Sequence, residues 1–218
     1  MPWLGLARVW DGGGVAAGGL PSGTLTFLLS DVVGSTRAWE EHPDAMKAAL
    51  ERHDSIVRGA IEAHDGYVFS TAGDAFAASF GRASEAVAAA REAQRGLREE
   101  RWPEPVRIEV RMGVHTGEAD ERDGDYFGPA VNRAARIMAA GHGGQVVVSA
   151  ATAALVDEVV LLDLGEHRLK DVAGALRLFQ IGDDEFPALR SLVSVRVNLP
   201  AERTELFGRG AEVELRPS

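Results

Sequence analysis

An amide and a guanidinium stand four residues apart in the segment DYFGPAVNRAAR, at Asn132 and Arg136, just after a proline suited to open a helix. Residues at that spacing project from one helical face. Far upstream, Asp31 follows the apolar run TLTFLLS, and Asp74 sits beside Gly73 in STAGDAF. Both acids fall where the chain is expected to leave a strand. Two carboxylates so placed can share hard divalent ions that keep positions open for water and phosphate, because Mg²⁺ and Mn²⁺ prefer oxygen ligands. An acidic pair together with an Asn/Arg pair points to chemistry on a nucleotide phosphate. Either aspartate taken alone is equally a turn residue; the combination gives the reading its weight. Between Asp31 and the next helix runs Val32-Val33-Gly34-Ser35-Thr36, whose backbone N–H groups can face an anion from a helix start. No GxxxxGK[ST] occurs, so a P-loop mechanism is excluded.

The elements that must hold these groups follow from period and punctuation. Leu25, Phe27 and Leu29 alternate as a half-buried strand does. Ser35 to Glu62 repeats apolar residues at helical period, and Pro43 is a point where it can break in two. His42 and His53 fall on or near that stripe and read as packing residues. Tyr67 to Thr71 and Ala75 to Phe80 form two strands about a reversal at Gly73, and Ser84 is placed to cap the alanine-rich helix that follows. Val106 to Val114 alternates strictly, with His115 at its end. The helix from Pro129 should stop near Gly141, followed by the strand Gln145 to Ser149, a short helix over Ala150 to Val156, and two closing strands within Val160 to Ile181. That order describes an α+β sandwich, with helices packed on a mostly antiparallel sheet.

Bulk properties narrow the setting. The 218 residues, 45% hydrophobic, suffice for one good core. We expect a leader over 1–22, one domain over 23–183 and a linker or tail over 184–218. A formal charge of -10 repels polyanions and argues against nucleic-acid binding. With no cysteine, disulfides and thiolate metal sites are out, which suits a reducing, cytoplasmic setting. Neither a membrane span nor a secretory signal is expected.

Three separated segments together resemble the class III adenylate/guanylate cyclase catalytic domain over roughly Gly23 to Gly182. FLLSDVVGST (Phe27 to Thr36) is similar to the family's first metal segment, STAGDAF (Ser70 to Phe76) to its second, and DYFGPAVNRAAR to its transition-state segment. The resemblance implies the ferredoxin-like sandwich of these enzymes and an adenylate cyclase that converts ATP, with GTP as the alternative, to the 3′,5′-cyclic nucleotide and pyrophosphate, cyclic AMP being favoured because Asp125 remains to accept the adenine amino group. Asp31 and Asp74 would hold two Mg²⁺ or Mn²⁺ ions per site, with the Val32 backbone adding a ligand and Val33 to Thr36 meeting phosphate. Asn132 would orient the ribose, Arg136 stabilise phosphoryl charge, and Asp125 accept a hydrogen bond from the base. It also implies a head-to-tail homodimer in which the aspartates of one chain meet the Asn/Arg helix of the other.

One position departs from the family's pattern. Where adenylate cyclases usually carry a base-contacting lysine and guanylate cyclases a glutamate, this chain has Ser70. Loss of a charged donor costs about 1.5–3 kcal/mol, a roughly 10- to 150-fold weakening of base selection. A second expectation is therefore a weakly active or inactive cyclase-like module that binds nucleotide and regulates other domains. The tail NLPAERTELFGRGAEVEL, which resembles the junction into an ATPase and regulator region of actinobacterial cyclases, suits that expectation. A diguanylate cyclase or polymerase palm would also use two carboxylates, but the chain lacks GG[DE]EF and has the Asn/Arg helix. His115 is read as a hydrogen-bonded strand residue, and Arg133 and Lys170 as surface charges.

Overall fold

The computed structural model describes residues 22–195, with no account of the side chains at 193–195. Strand β1 (Gly23–Val32) is flanked by β3 (Ala75–Phe80) and β4 (Val110–Arg122), both antiparallel to it. With β2 (Tyr67–Ala72), β6 (Val146–Ser149), β7 (Leu161–Arg168), β8 (Leu176–Ile181) and β9 (Val193–Val195) the sheet order is β2-β3-β1-β4-β6-β8-β7-β9. A short strand, β5 (Asp125–Phe127), folds back on the end of β4. Among these pairings only β4 with β6 is parallel, so the mostly antiparallel α+β sandwich is observed.

Alternation along β1 assigns the two faces. Leu28 and Val32 join a core with Met46, Ala49, Val57 and Ile61 of α2 (Pro43–Ala63) and the alanines of α3 (Ala83–Glu99). Leu25, Phe27 and Leu29 pack instead against Ala130, Ala134 and Met138 of α4 (Pro129–Ala140). Pro43 does break the first helical stretch, separating α1 (Ser35–Glu41) from α2. The short α5 (Ala150–Ala153) is capped by Ser149, whose hydroxyl accepts from the Thr152 amide.

Four local expectations are corrected. Strand β4 begins at Val110 and continues to Arg122, because β1 offers partners only from Val110 to Ala119 and β5 takes over from Asp120. His115 is thus in mid-strand, although Val106 and Ile108 are buried as their alternation suggested. Ser84 caps nothing: α3 starts at Ala83, with Arg82 at the N-cap and no side-chain cap bond. His42 lies exposed at the α1–α2 junction, whereas His53 is buried against the Phe76 ring. The stretch after residue 183, read as linker, lies on the domain as far as 195. Arg190 N–H donates to the Ala140 carbonyl at 2.9 Å, Leu189 is buried, and β9 pairs with β7. Residues 1–21 of the expected leader and 196–218 of the tail lie outside the described residues. Among the described residues no helix is long and apolar enough to cross a membrane.

Helix α4 approaches the sheet through Gly113. A Cβ there would stand 2.7 Å from the Ala134 carbonyl oxygen and strike the Met138 backbone. We expect Gly113→Ala to push α4 off β4 and cost about 1–3 kcal/mol, measured by urea unfolding. An unchanged midpoint would refute this close packing.

Candidate active site

Asp31 is the penultimate residue of β1 and, being odd-numbered like Phe27 and Leu29, points to the α4 side of the sheet. Directly opposite it on β4 is Arg111. The guanidinium Nε donates to Asp31 Oδ2 at 3.1 Å, Nη2 donates to the same oxygen, and Nη1 reaches the Ala139 carbonyl at 3.4 Å. Asp74 occupies the two-residue reversal between β2 and β3, made possible by Gly73 at φ 64°. Its Oδ2 accepts the Val32 amide at 3.2 Å. That bond crosses to the residue next to Asp31, so the two aspartates lie at the same end of the neighbouring strands β1 and β3.

The loop that follows has a mixed fate. Val33 N–H donates to the Glu109 carbonyl at 2.9 Å and is therefore not available to an anion, contrary to the sequence reading. Gly34 adopts the left-handed conformation (φ 74°) at the N-cap of α1, and no side chain caps the helix there. The amides of Ser35 and Thr36, in the first turn, have no acceptor from within the helix.

The remaining candidates are spread over α4, β5 and β2. Asn132 and Arg136 lie on the outer face of α4, opposite Ala130, Ala134 and Met138. Asn132 is exposed, and Arg136 Nη2 donates to Asp171 Oδ2 at 2.5 Å rather than to Asp31 or Asp74. Asp125 follows the β4–β5 turn, with Oδ1 accepting its neighbour Tyr126 N–H at 2.7 Å. Ser70 is half-buried on β2, opposite Ala77 and beside a register shift. One chain thus unites Asp31, Val32, Asp74 and the Gly34 turn, and presents Asn132 and Arg136 separately. A cavity of about 690 Å³ lies away from both groups, between β7 and residues 183–189.

The donor set suits a hard divalent cation. It is all oxygen, and among the described residues no group of three or more His, Cys, Asp or Glu is placed to hold a metal ion by side chains alone. Two carboxylates leave most positions to water and substrate, as Mg²⁺ prefers. Arg111 went unnoticed in sequence. Its signal was available: it interrupts the apolar residues Val110, Met112 and Val114 on the opposite face, and so shares a face with Asp31.

His115 is a different kind of residue. Its Nδ1 lies 2.8 Å from Ser149 Oγ, which begins a buried hydroxyl chain through Thr152 and Thr116 to Thr26. Burial, and then the positive charge of Arg133, lower its pKa from 6.5 to about 4. The imidazole is neutral at physiological pH.

This geometry can be set beside known proteins. Residues 20–181 match the family model described as the adenylate and guanylate cyclase catalytic domain. The chain belongs to that family. An uncharacterized protein of Mycobacterium tuberculosis is 40% identical over 205 residues, covering 88% of this chain and 70% of the relative. An adenylate cyclase of Podospora anserina is 31% identical over 220 residues, which is 89% of this chain but 9% of that much longer protein. A solved adenylate cyclase structure from Trypanosoma brucei, in its monomeric state, superposes with a TM-score of 0.74 at 27% identity, covering 81% of this chain and 98% of the other. Fold and relatives together support nucleotidyl cyclase activity of the class III type.

The depressed His115 pKa has a thermodynamic consequence. Between pH 6.5 and about 4 the unfolded chain binds a proton there that the folded chain excludes, so His115 lowers stability as pH falls through that window. His115→Asn should flatten the pH dependence of unfolding free energy by up to about 1.4 kcal/mol per pH unit in that range. Denaturant titrations at pH 7 and pH 5 measure it; parallel curves would show that the imidazole titrates normally.

Proposed function

We propose that the protein is a class III nucleotidyl cyclase that converts ATP or GTP to its 3′,5′-cyclic nucleotide and pyrophosphate, at sites formed between two chains paired head to tail. The observation that carries this reading is the separation just described. Asp31 and Asp74 lie together at one end of β1 and β3, while Asn132 and Arg136 stand on an outward helix face that a second chain can meet. A twofold pairing would complete two equivalent sites.

In this reading Asp31, Asp74 and the Val32 carbonyl hold two Mg²⁺ or Mn²⁺ ions. When bound, such ions lower the cost of an anionic ribose 3′-oxygen and neutralise phosphate charge. The Gly34–Thr36 turn meets the polyphosphate. Asn132 fixes the ribose, and Arg136, released from Asp171, absorbs charge that develops on the phosphoryl group. Asp125 keeps Oδ2 for a base amino group, and Ser70 offers one neutral hydroxyl at the base.

A second reading is favoured by two observations: the neutral Ser70, and the engagement of Arg136 by Asp171. It is a weakly active or inactive module that binds nucleotide and regulates an attached or interacting ATPase/regulator region. Both readings place the protein in the cytoplasm, as expected of cyclic-nucleotide signalling.

Incubating the purified chain with ATP or GTP and Mn²⁺, and measuring cyclic product, separates them. The cyclase reading expects product with at least one nucleotide, abolished in Asp74→Ala and reduced by about 10²–10³ in Arg136→Ala. Mixing Asp31→Ala with Arg136→Ala should restore part of the activity through hybrid dimers, whereas failure to complement would remove the shared site. Ser70→Lys should raise turnover of ATP if base contact is what the serine weakens.

A further inference from the structure

Arg111 is the one strong cation set directly against the acidic pair, and it does more than neutralise it. Asp31 and Arg111 are cross-strand partners in the β1–β4 ladder, so the backbone fixes their approach. Two guanidinium nitrogens, Nε and Nη2, converge on the single oxygen Oδ2. A carboxylate oxygen has about two acceptor positions, so this oxygen is fully used. The third nitrogen is tied to the Ala139 carbonyl in the last turn of α4, where the helix end favours a positive charge. With Arg111 and Asp31 side chains only 21% and 24% exposed, solvent and salt screen the pair incompletely. Asp74 is differently engaged, since its Oδ2 receives only the neutral Val32 amide.

We propose that Arg111 is a built-in competitor for the divalent cation: it occupies the Asp31 oxygen in the empty chain and must be displaced before the site is fully loaded. This rests on the reading of Asp31 and Asp74 as metal ligands. A cation shared between two carboxylates needs free oxygens on both, and a guanidinium a few ångströms away repels it. Only the Asp74 side and Asp31 Oδ1 are open at the outset. Displacement of Arg111 also releases the Ala139 carbonyl, so metal loading is felt by α4, three residues beyond Arg136 in the same helix.

The test is metal binding to the nucleotide-free full chain, with free Mn²⁺ followed by electron paramagnetic resonance. Arg111→Gln should bind Mn²⁺ at least about ten-fold more tightly than the unmodified chain, the scale of a lost charge-assisted hydrogen bond. Asp31→Asn should abolish that gain. Equal or weaker binding by Arg111→Gln overturns the competitor role while leaving the metal site standing. Mn²⁺ binding that is absent throughout, or unaffected by both Asp31→Asn and Asp74→Asn, overturns the metal reading and the competitor with it. A measurement on the unmodified chain guards against a folding defect in the variant. The Arg111 Nε–H resonance should be protected from water exchange without metal and lose protection as Mg²⁺ is added; protection that persists at saturating Mg²⁺ overturns the proposal.

Discussion

Ten consecutive residue pairs join β1 to β4, from Gly23 opposite Ala119 to Val32 opposite Val110, and this ladder sets the positions of Asp31 and of the arginine that pairs with it. It puts Arg111 across from Asp31 and His115 across from Phe27, and it lays Gly113 and Gly117 beneath α4. Side chains alternate faces along a strand, so a slip of one residue would carry Asp31 from the α4 side into the α2–α3 core. That core holds Phe80, Met46, Ile61 and Met112, all essentially inaccessible to water. An uncompensated carboxylate there would cost far more than the ladder could recover. Register and site are therefore specified by the same hydrophobic pattern.

The two layers on this ladder divide the work. On one face α3 contributes Ala86, Ala89, Ala90 and Ala93, small side chains that let a helix lie close and rigid against the sheet. On the other, Gly113 and Gly117 give α4 a backbone to rest on, and Ala130 and Ala134 return the favour from the helix. Rigid support on both sides leaves the chemistry at the strand ends. Backbone there turns away from its ladder, as at Gly34 and Gly73, both in the left-handed region.

Much of this was legible in the sequence, and the failures share a cause. Local signals carried through where they were strong: Pro43 between two helices, Gly73 at a hairpin, Pro129 and Gly141 bounding α4. Asp31 near the end of its strand and Asp74 in a reversal stand where their sequence context put them. What local pattern could not show was pairing. The limits of β4 depend on where β1 and β5 offer partners, not on its own alternation. Residues 184–195 have no period because they are held by backbone bonds to Ala140 and Arg168 and by the single buried Leu189. Arg111 reads as an ordinary strand charge until its cross-strand neighbour is known. Ser84 misled because a capping residue is defined by where the helix starts, and here the N-cap is Arg82, two residues earlier.

On the proposed reading, base recognition is the least constrained part of the site. Asp125 has one oxygen committed to the Tyr126 amide, which fixes the carboxylate's orientation and leaves the other as an acceptor. An acceptor welcomes an exocyclic amino group, which adenine and guanine both possess. Ser70 can donate or accept one hydrogen bond through a freely rotating hydroxyl, so it penalises neither base strongly. A lysine or a glutamate at that place would leave a buried charge unpaired against the wrong base, and an unpaired group is what makes discrimination steep. With a rotatable neutral group in its stead, metal and phosphate contacts hold the nucleotide in common, and selectivity must come from the shape of the cleft that the second chain completes.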